Sequence, residues 1–338
     1  MAFSRKAYLG ATGAVLLLVA GFFVWAFYGP NTFTAPAQRA FFVSKGEKFS
    51  AIVDSLEAQG VVRNRTLFLL VSRVVGGTER VQVGKYVFHS GVSNTDIFLS
   101  LRSGQGNTLI QITVPEGLRS RQQARLFARA LGTDSAKFVS VLHDRSFIHD
   151  LGVADTSLEG YLLPDTYAFY WQQKEEEIVE KMVEQFRRFY GDSLLERQQA
   201  MGWTTRQVLT LASIVEGEAV HDDERPMIAG VYLNRLRKGM KLDADPTVQY
   251  IVNERPRRLL YSDLKVDNPY NTYLHAGLPP GPVNNPGRAS ILATLWPARH
   301  TFIFFVANGR GGHWFAGSYA EHLKNVRQYR RYRAQQQS

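Results

Sequence analysis

The sequence predicts an α+β protein in three parts: an N-terminal transmembrane helix, a small αβ module, and a larger mixed α+β domain organised around one long helix. Three observations lead to this prediction. An uncharged apolar run fills residues 7–27, short strand-like and helical stretches alternate from residue 40 onwards, and a long apolar-rich helical pattern covers residues 204–220. With 338 residues, of which 45% are hydrophobic, the chain can bury more than one core.

Residues 7–28 are predicted to form the transmembrane helix. A helix of about 20 residues crosses the hydrocarbon core of a bilayer, which is about 30 Å thick. Trp25 and Tyr28 lie where aromatic side chains favour the membrane–water interface, and Gly29 with Pro30 ends the helix. The segment is therefore expected to be a single-pass anchor.

The flanking charges predict the orientation of this helix. Arg5 and Lys6 favour a cytoplasmic N-terminus, residues 1–6, because basic residues are retained on the cytoplasmic side. The rest of the chain would lie outside the cytoplasmic membrane, and residues 29–39, rich in Pro, Thr and Ala, would serve as a linker. A cleaved signal peptide is the alternative, since small residues occupy positions 34–37, but the apolar run exceeds the usual core of about 7–15 residues.

Charge and cysteine content restrict the chemistry. The chain has 40 Lys and Arg residues against 30 Asp and Glu residues, a formal net charge of +10. This excess suits anionic surroundings such as lipid headgroups, nucleic acid or acidic cell-wall peptides, and equally an ordinary basic surface. The absence of cysteine excludes disulfides, thiolate metal sites and a cysteine nucleophile.

The small αβ module is predicted for residues 40–106. Strand-like runs alternate with amphipathic helical runs, and glycines or a capping Ser-Asn-Thr-Asp sequence mark their ends. The predicted elements are a strand at 41–43, helices at 49–59 and 64–75, a strand at 84–88, and a helix that runs to residue 101. Modules of this order often bind ligands, although the order alone identifies none.

The larger domain is predicted for residues 107–333, followed by a short tail at 334–338. Helical patterns dominate its first half, whereas prolines make the region after residue 239 loop-rich. The predicted elements are a strand at 109–114, helices at 120–131, 175–190 and 204–220, a helix capped by Asp222 or Asp223 that ends near Gly239, a buried strand at 301–307, and a basic helix at 319–333.

Glu216 and Glu218 stand in an apolar helical run, LASIVEGEAV. An acid among Leu, Ile and Val is a candidate proton donor, because desolvation raises the pKa of its carboxyl. Two residues apart on a helix, the side chains point about 160–200° apart and cannot converge on one bond as a glycosidase pair. Spacing does not choose between them, and either acid could instead pair with Arg206, Arg225 or Arg235.

Asp245 follows another acid by two residues in a polar stretch, 242–247, that is predicted to be a turn. Alternating acids are typical of cation loops, but the turn glycine and the closing glutamate of a calcium loop are missing. Asp245 is therefore predicted to bond nearby backbone and to shape the wall of a cleft.

Proline-rich loops further downstream carry amide and phenol groups at 268–273 and rigid turns at 277–282. Such loops suit a sugar, which presents flat faces and directional hydrogen bonds, and equally a rigid loop that packs on itself. His313 could contact substrate or satisfy a local carbonyl. The histidines show no metal-ligand spacing, so no metal site and no cofactor are expected.

Several sequence blocks occur in an order that is specific when they are taken together. They are EGYLLPDTY at 159–167, SIVEGEA at 213–219, DPTV at 245–248, NPYNTY at 268–273, GLPPGPV at 277–283 with NPG at 285–287, and FVA at 305–307 leading to Gly312 and His313. From the anchor to about residue 330 the chain resembles the endolytic murein transglycosylases of the MltG (YceG-like) family. Leu163 and Gly217 depart from the family pattern, and Gly217 costs a helix about 1 kcal/mol relative to Ala.

The resemblance implies a LysM-like module at 40–106 and a YceG-like catalytic domain at 107–333, on the periplasmic side of the bacterial inner (cytoplasmic) membrane. It implies that Glu218 is the catalytic acid, because the second Glu of its block matches that of the family. Substrate-binding or supporting roles are implied for Glu216, Tyr161, Asp245, Thr247, Asn271, Tyr273 and His313, with Glu216 either beside the cleft or in a structural ion pair.

The implied reaction needs a single acid. Protonated Glu218 would donate to the oxygen between MurNAc and GlcNAc, and its carboxylate would accept the proton of the MurNAc C6 hydroxyl as that group attacks C1, which leaves a 1,6-anhydro end. Hydrolysis would need a second carboxylate, for which Asp245 is the candidate. The alternatives are therefore a muramidase-like peptidoglycan hydrolase and a non-catalytic, wall-binding regulator of a synthase.

The expected partners are peptidoglycan glycan strands, the membrane, and peptidoglycan synthases (penicillin-binding proteins). Cleavage within nascent strands would terminate their elongation. The basic C-terminal helix, where Tyr329 and Tyr332 stand between arginines, could suit nucleic acid, but the outward topology argues against that partner.

Overall fold

A computed structural model describes residues 5–252 and 257–336 and divides the chain into two compact units. Unit 1 contains the described residues up to 111 together with 168–173, and unit 2 contains the described residues of 112–167 and 174–338. Helices predominate and the strands form small two-stranded sheets, so the predicted α+β class is confirmed.

The elements of unit 1 alternate helix and strand, as predicted for residues 40–106. They are α1 (Arg5–Tyr28), β1 (Pro30–Asn31), β2 (Gln38–Val43), α2 (Phe49–Ala58), α3 (Arg65–Val75), β3 (Gly84–His89), β4 (Val92–Ser93) and α4 (Asn94–Ser103). Strand β2 pairs antiparallel with β3, and β1 pairs antiparallel with β4. The core is formed by Phe41, Leu56, Phe68, Tyr86 and Phe98, all buried.

Helix α1 is long and apolar enough to cross a membrane, with a mean hydropathy of 2.1 over its most apolar window within Leu9–Tyr28. A signal sequence has the same properties. The last turn of α1 packs on α4: Asn94 Nδ2 donates to the Ala26 carbonyl at 2.9 Å, and Thr95 Oγ1 donates to the Phe27 carbonyl at 2.8 Å. The end of the helix is thereby tied to unit 1.

The stretch at 29–39, predicted to be a linker, contains regular structure. Pro30 and Asn31 form β1, Asn31 is buried, and its Nδ2 donates to Asn94 Oδ1 at 3.0 Å. Strand β2 then begins at Gln38 rather than at residue 41. Composition alone missed this pairing because the partner, β4, lies about sixty residues further along the chain.

Unit 2 is mainly helical. The elements that follow α4 in chain order, of which β5 and β6 each contain residues of both units, are β5 (Ile110–Thr113), α5 (Ser120–Leu131), α6 (Ser135–Val141), α7 (Arg145–Asp150), β6 (Thr166–Phe169), α8 (Glu175–Phe189), α9 (Asp192–Ala200), α10 (Thr205–Glu218), α11 (Arg225–Arg237), α12 (Asp245–Val252), α13 (Arg288–Leu295), β7 (Phe304–Ala307), β8 (His313–Ala316) and α14 (Tyr319–Gln336). Strands β7 and β8 form an antiparallel hairpin.

Helix α10 lies at the centre of unit 2 and packs against α11, α12 and α13. Leu211, Ile214 and Val215 of α10 share one buried cluster with Tyr232 of α11 and Ala244 before α12. The apolar face that the sequence predicted for residues 204–220 is thus buried as expected, and it fixes the positions of the acids at the end of the helix.

The structure corrects three sequence predictions in this unit. Asp245, predicted to lie in a polar turn, is the first residue of α12, a helix start that tolerates a proline at the next position. The region predicted to be loop-rich also contains α13. The predicted buried strand at 301–307 is shorter, Phe304–Ala307, and only half-buried, because it belongs to a two-stranded hairpin.

Candidate active site

Helix α10 presents its two acids at its C-terminal end. Thr204 caps the start of the helix, accepting a hydrogen bond from the Gln207 backbone N–H, and the Gln207 side chain returns a bond to the Thr204 N–H. The helix ends at Glu218, because Ala219 turns to an extended backbone conformation. The sequence predicted a longer helix, to residue 220, so Glu218 lies at an edge where the chain changes direction.

Glu216 is held by the first turn of α13. Its Oε2 accepts hydrogen bonds from the Gly287 N–H at 2.9 Å and from Ser290 Oγ at 2.8 Å, and it lies 3.2 Å from Arg225 Nη1. The side chains of Glu216 and Arg225 are each only 7% exposed, so this is a buried ion pair. Of the two alternatives for Glu216, the geometry matches the structural ion pair.

Glu218 lies in a different environment on the other side of α10. The Tyr232 hydroxyl donates to its Oε1 at 2.9 Å, and part of the residue stays exposed to solvent. Burial raises the pKa of Glu218 to about 7; the Tyr232 hydrogen bond opposes this rise, and the charge of Asp245 adds to it. A pKa of about 7 lets a large fraction of this carboxyl keep its proton near neutral pH, as a general acid requires.

Tyr232, which the sequence analysis did not single out, fixes Glu218 in place. It is buried, and its ring packs edge-to-face on Phe305 with centroids 5.8 Å apart. Burial raises the pKa of Tyr232 well above its ordinary value, so its hydroxyl remains a hydrogen-bond donor. Nothing in the spacing of Tyr232, fourteen residues after Glu218 and on the next helix, could have indicated this contact.

Asp245 and Tyr273 form the exposed wall beside Glu218. The Tyr273 hydroxyl donates to Asp245 Oδ1 at 2.7 Å, and the charge of Asp245 raises the pKa of the Glu218 carboxyl. The sequence predicted that Asp245 would bond nearby backbone, whereas its side chain instead accepts from Tyr273, a residue 28 positions away. Its place in the wall of the site agrees with the prediction.

Thr247 and Asn271 support this wall from behind. Thr247 is buried, bonds Thr272 Oγ1 at 2.9 Å and donates to the Ala244 carbonyl at 2.7 Å. Asn271, also buried, donates through Nδ2 to the backbone carbonyls of Leu264 and Val266. Both side chains are satisfied by the protein, so they position the loop rather than face solvent.

Arg235 holds the chain that leads into α12. Its guanidinium donates to the Leu242 carbonyl at 2.8 Å and lies 2.9 Å from Asp243 Oδ2. Asp243 adopts φ = 48°, a left-handed conformation that is strained for a residue with a side chain. The buried arginine thus stabilises the sharp turn that delivers Asp245 to Glu218.

Gly217 allows α10 and α12 to approach each other closely. A Cβ atom at this position would lie 2.6 Å from Pro246 Cγ and 2.7 Å from Pro246 Cβ, closer than real contacts allow. A glycine at position 217, where the family pattern has a larger residue, therefore fits the close contact with Pro246. Gly217 sits between the two acids and directly beside the start of α12.

His313 and Tyr161 lie apart from Glu218. His313 Nδ1 lies 2.7 Å from Glu224 Oε2, and its ring contacts Phe305, which in turn packs on Tyr232. Tyr161 is buried against Phe186 with centroids 5.3 Å apart, and no described contact joins it to the Glu218 group. The structure thus brings Asp245 and Tyr273 to Glu218 directly, His313 only through Phe305, and Tyr161 not at all.

A second carboxyl with a raised pKa lies in the first matched block. Burial raises the pKa of Glu159 to about 7, and its Oε1 accepts from the Ser120 N–H at 2.9 Å and from Asn285 Nδ2 at 3.0 Å. Asn285 also binds the Gly160 and Leu162 N–H groups through its Oδ1. Glu159 and Asn285 therefore join the 159–167 and 285–287 blocks in space.

Metal ligands do not cluster in the part of the chain that the structure describes, where no group of three His, Cys, Asp or Glu side chains is arranged to hold an ion. The reactive groups available around Glu218 are a carboxyl that keeps its proton near neutral pH, a neighbouring exposed carboxylate, and two tyrosine hydroxyls. This arrangement can perform acid–base chemistry on a bond that reaches Glu218.

Comparison with known proteins identifies the class to which this fold and site belong. The sequence matches the YceG-like family over residues 41–328, and the chain belongs to that family. It is 32% identical over 302 residues to a protein of Bacillus subtilis (strain 168) named endolytic murein transglycosylase, covering 85% of this chain and 83% of that protein.

Two further comparisons agree with this family. A protein of Streptococcus pneumoniae serotype 2, also named endolytic murein transglycosylase, is 26% identical, and the match covers 85% of this chain but 57% of that longer protein. The crystal structure of a yceG-like protein from Listeria monocytogenes superimposes with a TM-score of 0.62 at 28% identity, covering 86% of this chain and 99% of the other. The family resemblance in the sequence blocks is thereby confirmed.

Proposed function

We propose that this protein is an endolytic peptidoglycan lytic transglycosylase that cleaves the MurNAc–GlcNAc bond and leaves 1,6-anhydro-MurNAc ends. The observation that carries the proposal is Glu218, a half-buried residue at the end of α10 whose carboxyl has a pKa that burial raises to about 7. The names of the Bacillus and Streptococcus relatives support the same reaction.

In the proposed reaction Glu218 acts first as acid and then as base. Its proton passes to the oxygen that bridges MurNAc C1 and GlcNAc, and GlcNAc leaves with a new hydroxyl while positive charge develops at C1. The oxygen of the MurNAc C6 hydroxyl then bonds to C1, and the Glu218 carboxylate takes the proton that this hydroxyl loses. No water is consumed, and the carboxyl regains the proton that it began with.

Tyr232 and Asp245 assist this cycle in different ways. The Tyr232 hydroxyl donates to Oε1 of Glu218, which leaves Oε2 as the oxygen that carries the transferable proton. The negative charge of Asp245 favours the protonated form of Glu218. The same charge stabilises the positive charge that develops at C1 during the reaction. Tyr273 holds Asp245 in this position through its hydroxyl.

The proposal also covers the domain organisation and the cellular location of the protein. We place a LysM-like, glycan-binding module at 40–106 and the catalytic domain at 107–333, with α1 as a single-pass anchor in the inner membrane and both domains outside the cytoplasm. Anchoring near the membrane would bring Glu218 to nascent strands made by peptidoglycan synthases, and cleavage there would end their elongation. The length and hydropathy of α1 support the anchor.

The alternative reaction is hydrolysis of the glycan, and the observation in its favour is the position of Asp245 near Glu218. Asp245 is exposed and close enough to Glu218 for its charge to raise the pKa of that carboxyl, so it could activate a water molecule. The product distinguishes the two reactions, because hydrolysis leaves a reducing MurNAc end that carries one more water than the anhydro end.

The test is mass spectrometry of the products from defined, uncrosslinked glycan strands digested with the purified protein. Anhydro ends that disappear with Glu218→Gln are the expected result. Reducing ends that depend on both Glu218 and Asp245 would instead assign a muramidase. Binding to glycan without any product would assign a non-catalytic wall-binding protein, and that outcome would overturn the proposed function.

A further inference from the structure

A small cavity lined by three arginines lies in unit 2, and the residues that contact Glu218 do not line it. It encloses about 270 Å³ between α9, α11 and the chain that follows α13. Arg197 of α9, Arg237 of α11 and Arg299 contribute the positive charge, and no Asp or Glu is among the lining residues that the structure describes. We call this space the three-arginine cavity.

Carboxylates do not neutralise the charge of these arginines. Arg197 Nε donates to the Leu295 carbonyl at 2.7 Å, and Arg237 Nη1 donates to Asn234 Oδ1 at 3.2 Å, so both acceptors are uncharged. Arg299 is exposed, and within the described part of the chain none of the three arginines forms an ion pair. Three positive charges around one small space repel one another, and an anion placed between them removes that cost.

The wall of the cavity is held in place by hydrogen bonds to the backbone. Asn234 Nδ2 donates to the carbonyls of His300 and Phe302 at 2.9 and 3.0 Å. The Phe302 N–H donates to His300 Nδ1, and His300 Nε2 bonds the Met227 carbonyl, so both ring nitrogens are engaged. Gly230 permits this close approach, because a Cβ atom there would lie 2.5 Å from His300 Nε2. The chain after α13 is therefore fixed against α11, and the wall of the cavity is preformed.

Exposed apolar side chains lie next to the cavity. Leu292 and Trp296 are exposed and four residues apart at the end of α13, so they share one face. The sequence neighbours of Trp296 belong to the cavity, since the Leu295 carbonyl accepts from Arg197 and Pro297 lines the space. A tryptophan exposed beside basic residues is typical of a surface that enters the membrane interface, where indole rings lie at the level of the headgroups.

We propose that the three-arginine cavity binds the phosphate of an anionic phospholipid headgroup, while Leu292 and Trp296 enter the membrane interface beside it. Guanidinium groups bind phosphate oxygens through paired, charge-assisted hydrogen bonds. The phosphate of a phospholipid lies between its polar headgroup and its acyl chains, so the cations and the apolar side chains match its two sides. The site holds unit 2 at a membrane surface and does not depend on the reaction at Glu218.

The size of the cavity and the nature of α1 both favour a lipid. Pockets for drug-sized molecules measure about 300–1,000 Å³, and this cavity is smaller, which suits a single phosphate group. Helix α1 is long and apolar enough to lie in a bilayer, which keeps lipid headgroups at a high effective concentration around the chain. Free phosphate offers the same oxygens without acyl chains, so it would leave Trp296 in water.

The experiment measures the contact of Trp296 with lipid. Full-length protein is reconstituted in nanodiscs of phosphatidylcholine, alone or mixed with phosphatidylglycerol, whose acyl chains carry bromine atoms that quench tryptophan fluorescence at the interface. The difference between the unsubstituted protein and Trp296→Phe isolates the signal of this residue. The double variant Arg237→Gln and Arg299→Gln removes two charges from the cavity. Its matched control, Arg331→Gln and Arg333→Gln, removes two exposed charges from α14, outside the cavity.

We expect quenching of Trp296 in nanodiscs that contain phosphatidylglycerol, loss of that quenching in the double variant, and its retention in the control. Nanodiscs of phosphatidylcholine alone should quench Trp296 much less. Short-chain phosphatidylglycerol, titrated by calorimetry into the protein in neutral detergent, should bind about 10- to 100-fold more weakly to the double variant, because the charge-assisted hydrogen bonds of the two guanidinium groups are lost.

Equal quenching of Trp296 in neutral and anionic nanodiscs would overturn the proposal, and this comparison needs no arginine variant. Equal losses in the double variant and in the control would also overturn it, since they would show a general attraction between a basic protein and an anionic surface. Binding of inorganic phosphate that is lost in the double variant, without quenching of Trp296, would overturn the assignment to lipid in favour of a free phosphate. Circular dichroism verifies that the variants are folded.

Discussion

Two glutamates two residues apart on α10 have opposite surroundings. Glu216 is enclosed by Arg225, Ser290 and the N–H of Gly287, each within 3.2 Å of its Oε2. Glu218 has one hydroxyl donor, Tyr232, and a neighbouring negative charge, and burial keeps its proton in place near neutral pH. The comparison shows that the same side chain on the same helix becomes an anchor or an acid according to the elements packed around it.

Glu159 adds a third case. Burial raises its pKa to about 7, as it does for Glu218, yet its Oε1 accepts hydrogen bonds from the Ser120 N–H and from Asn285 Nδ2. A raised pKa alone therefore does not identify the acid of this protein. The groups that contact each carboxyl must be considered as well, since Glu159 and Glu218 are both half-buried.

The largest expected effect separates the two glutamates by activity. Glu218→Gln removes the transferable proton and should lower the rate of anhydro-end formation by about 100- to 10,000-fold, the usual contribution of general acid–base catalysis. Glu216→Gln should leave the rate per folded molecule almost unchanged. Product formation from uncrosslinked glycan, corrected for the folded fraction by circular dichroism, measures both, and comparable losses in both variants would contradict the division of roles.

The second largest effect is a difference in stability between the Glu216→Gln and Glu218→Gln variants. Glu216→Gln leaves buried Arg225 without its carboxylate partner on α10 and should lower the free energy of unfolding by about 3 kcal/mol. For a chain of this size each kcal/mol lowers Tm by about 2–4 °C. Thermal unfolding of Glu218→Gln, which breaks no ion pair, provides the matched control. If Glu218→Gln were the less stable variant, Glu216 would not be the anchor.

A smaller effect, on the pH profile, tests the contact that distinguishes Glu218. A donor must be protonated, so kcat/KM should fall as pH rises through about 7, the pKa of Glu218. The Tyr232 hydrogen bond lowers that pKa, so Tyr232→Phe should move the fall to higher pH and lower the maximal rate by about tenfold.

Tyr167→Phe is the control for this experiment. Its hydroxyl is also buried, but it donates to the Leu163 carbonyl. This variant should keep the profile of the unsubstituted protein. A fall that stays in place or moves to lower pH in Tyr232→Phe would show that Tyr232 does not act on the Glu218 carboxyl.

The smallest effect concerns the spacing between α10 and α12. Gly217→Ala should gain up to about 1 kcal/mol in helix propensity, but its Cβ would collide with the rigid Pro246 ring and displace Asp245. We expect no net gain in Tm and a rate about two- to tenfold lower, because small misplacements in an active site are costly. Gly191→Ala, where a Cβ meets no atom closer than 3.9 Å, should leave the rate unchanged, and a more stable, fully active Gly217→Ala would contradict this account.

Local sequence patterns predicted the elements whose determinants are themselves local. The helix at 120–131 was predicted with the bounds of α5, and the helix predicted at 64–75 corresponds to α3, which begins one residue later, after Asn64. The helix at 175–190 corresponds to α8, because its apolar spacing and its acidic first turn both lie within a few residues.

Elements stabilised by distant partners were missed. Pro30 and Asn31 form a strand only because β4 pairs with them, and α12 begins at Asp245 only because Arg235 holds the turn before it. The same limit applies to the site, where the Tyr232 hydroxyl on α11 donates to Glu218, and to the Glu159–Asn285 hydrogen bond, whose partners are 126 residues apart. Tertiary packing decides such contacts, and single-sequence patterns do not carry them.

By itself the sequence determined that the chain is α+β, that its first helix is apolar enough for a membrane, and that Glu216 and Glu218 cannot act as a pair, since each conclusion follows from periodicity or composition alone. Family blocks singled out Glu218. Only the tertiary structure decided how the surroundings of the two acids differ: Arg225 and α13 enclose Glu216, while Tyr232 donates to Glu218 and the charge of Asp245 acts on it. Proton affinity depends on the groups that folding brings within a few ångströms, and around these two acids those groups come from α11, α12 and α13.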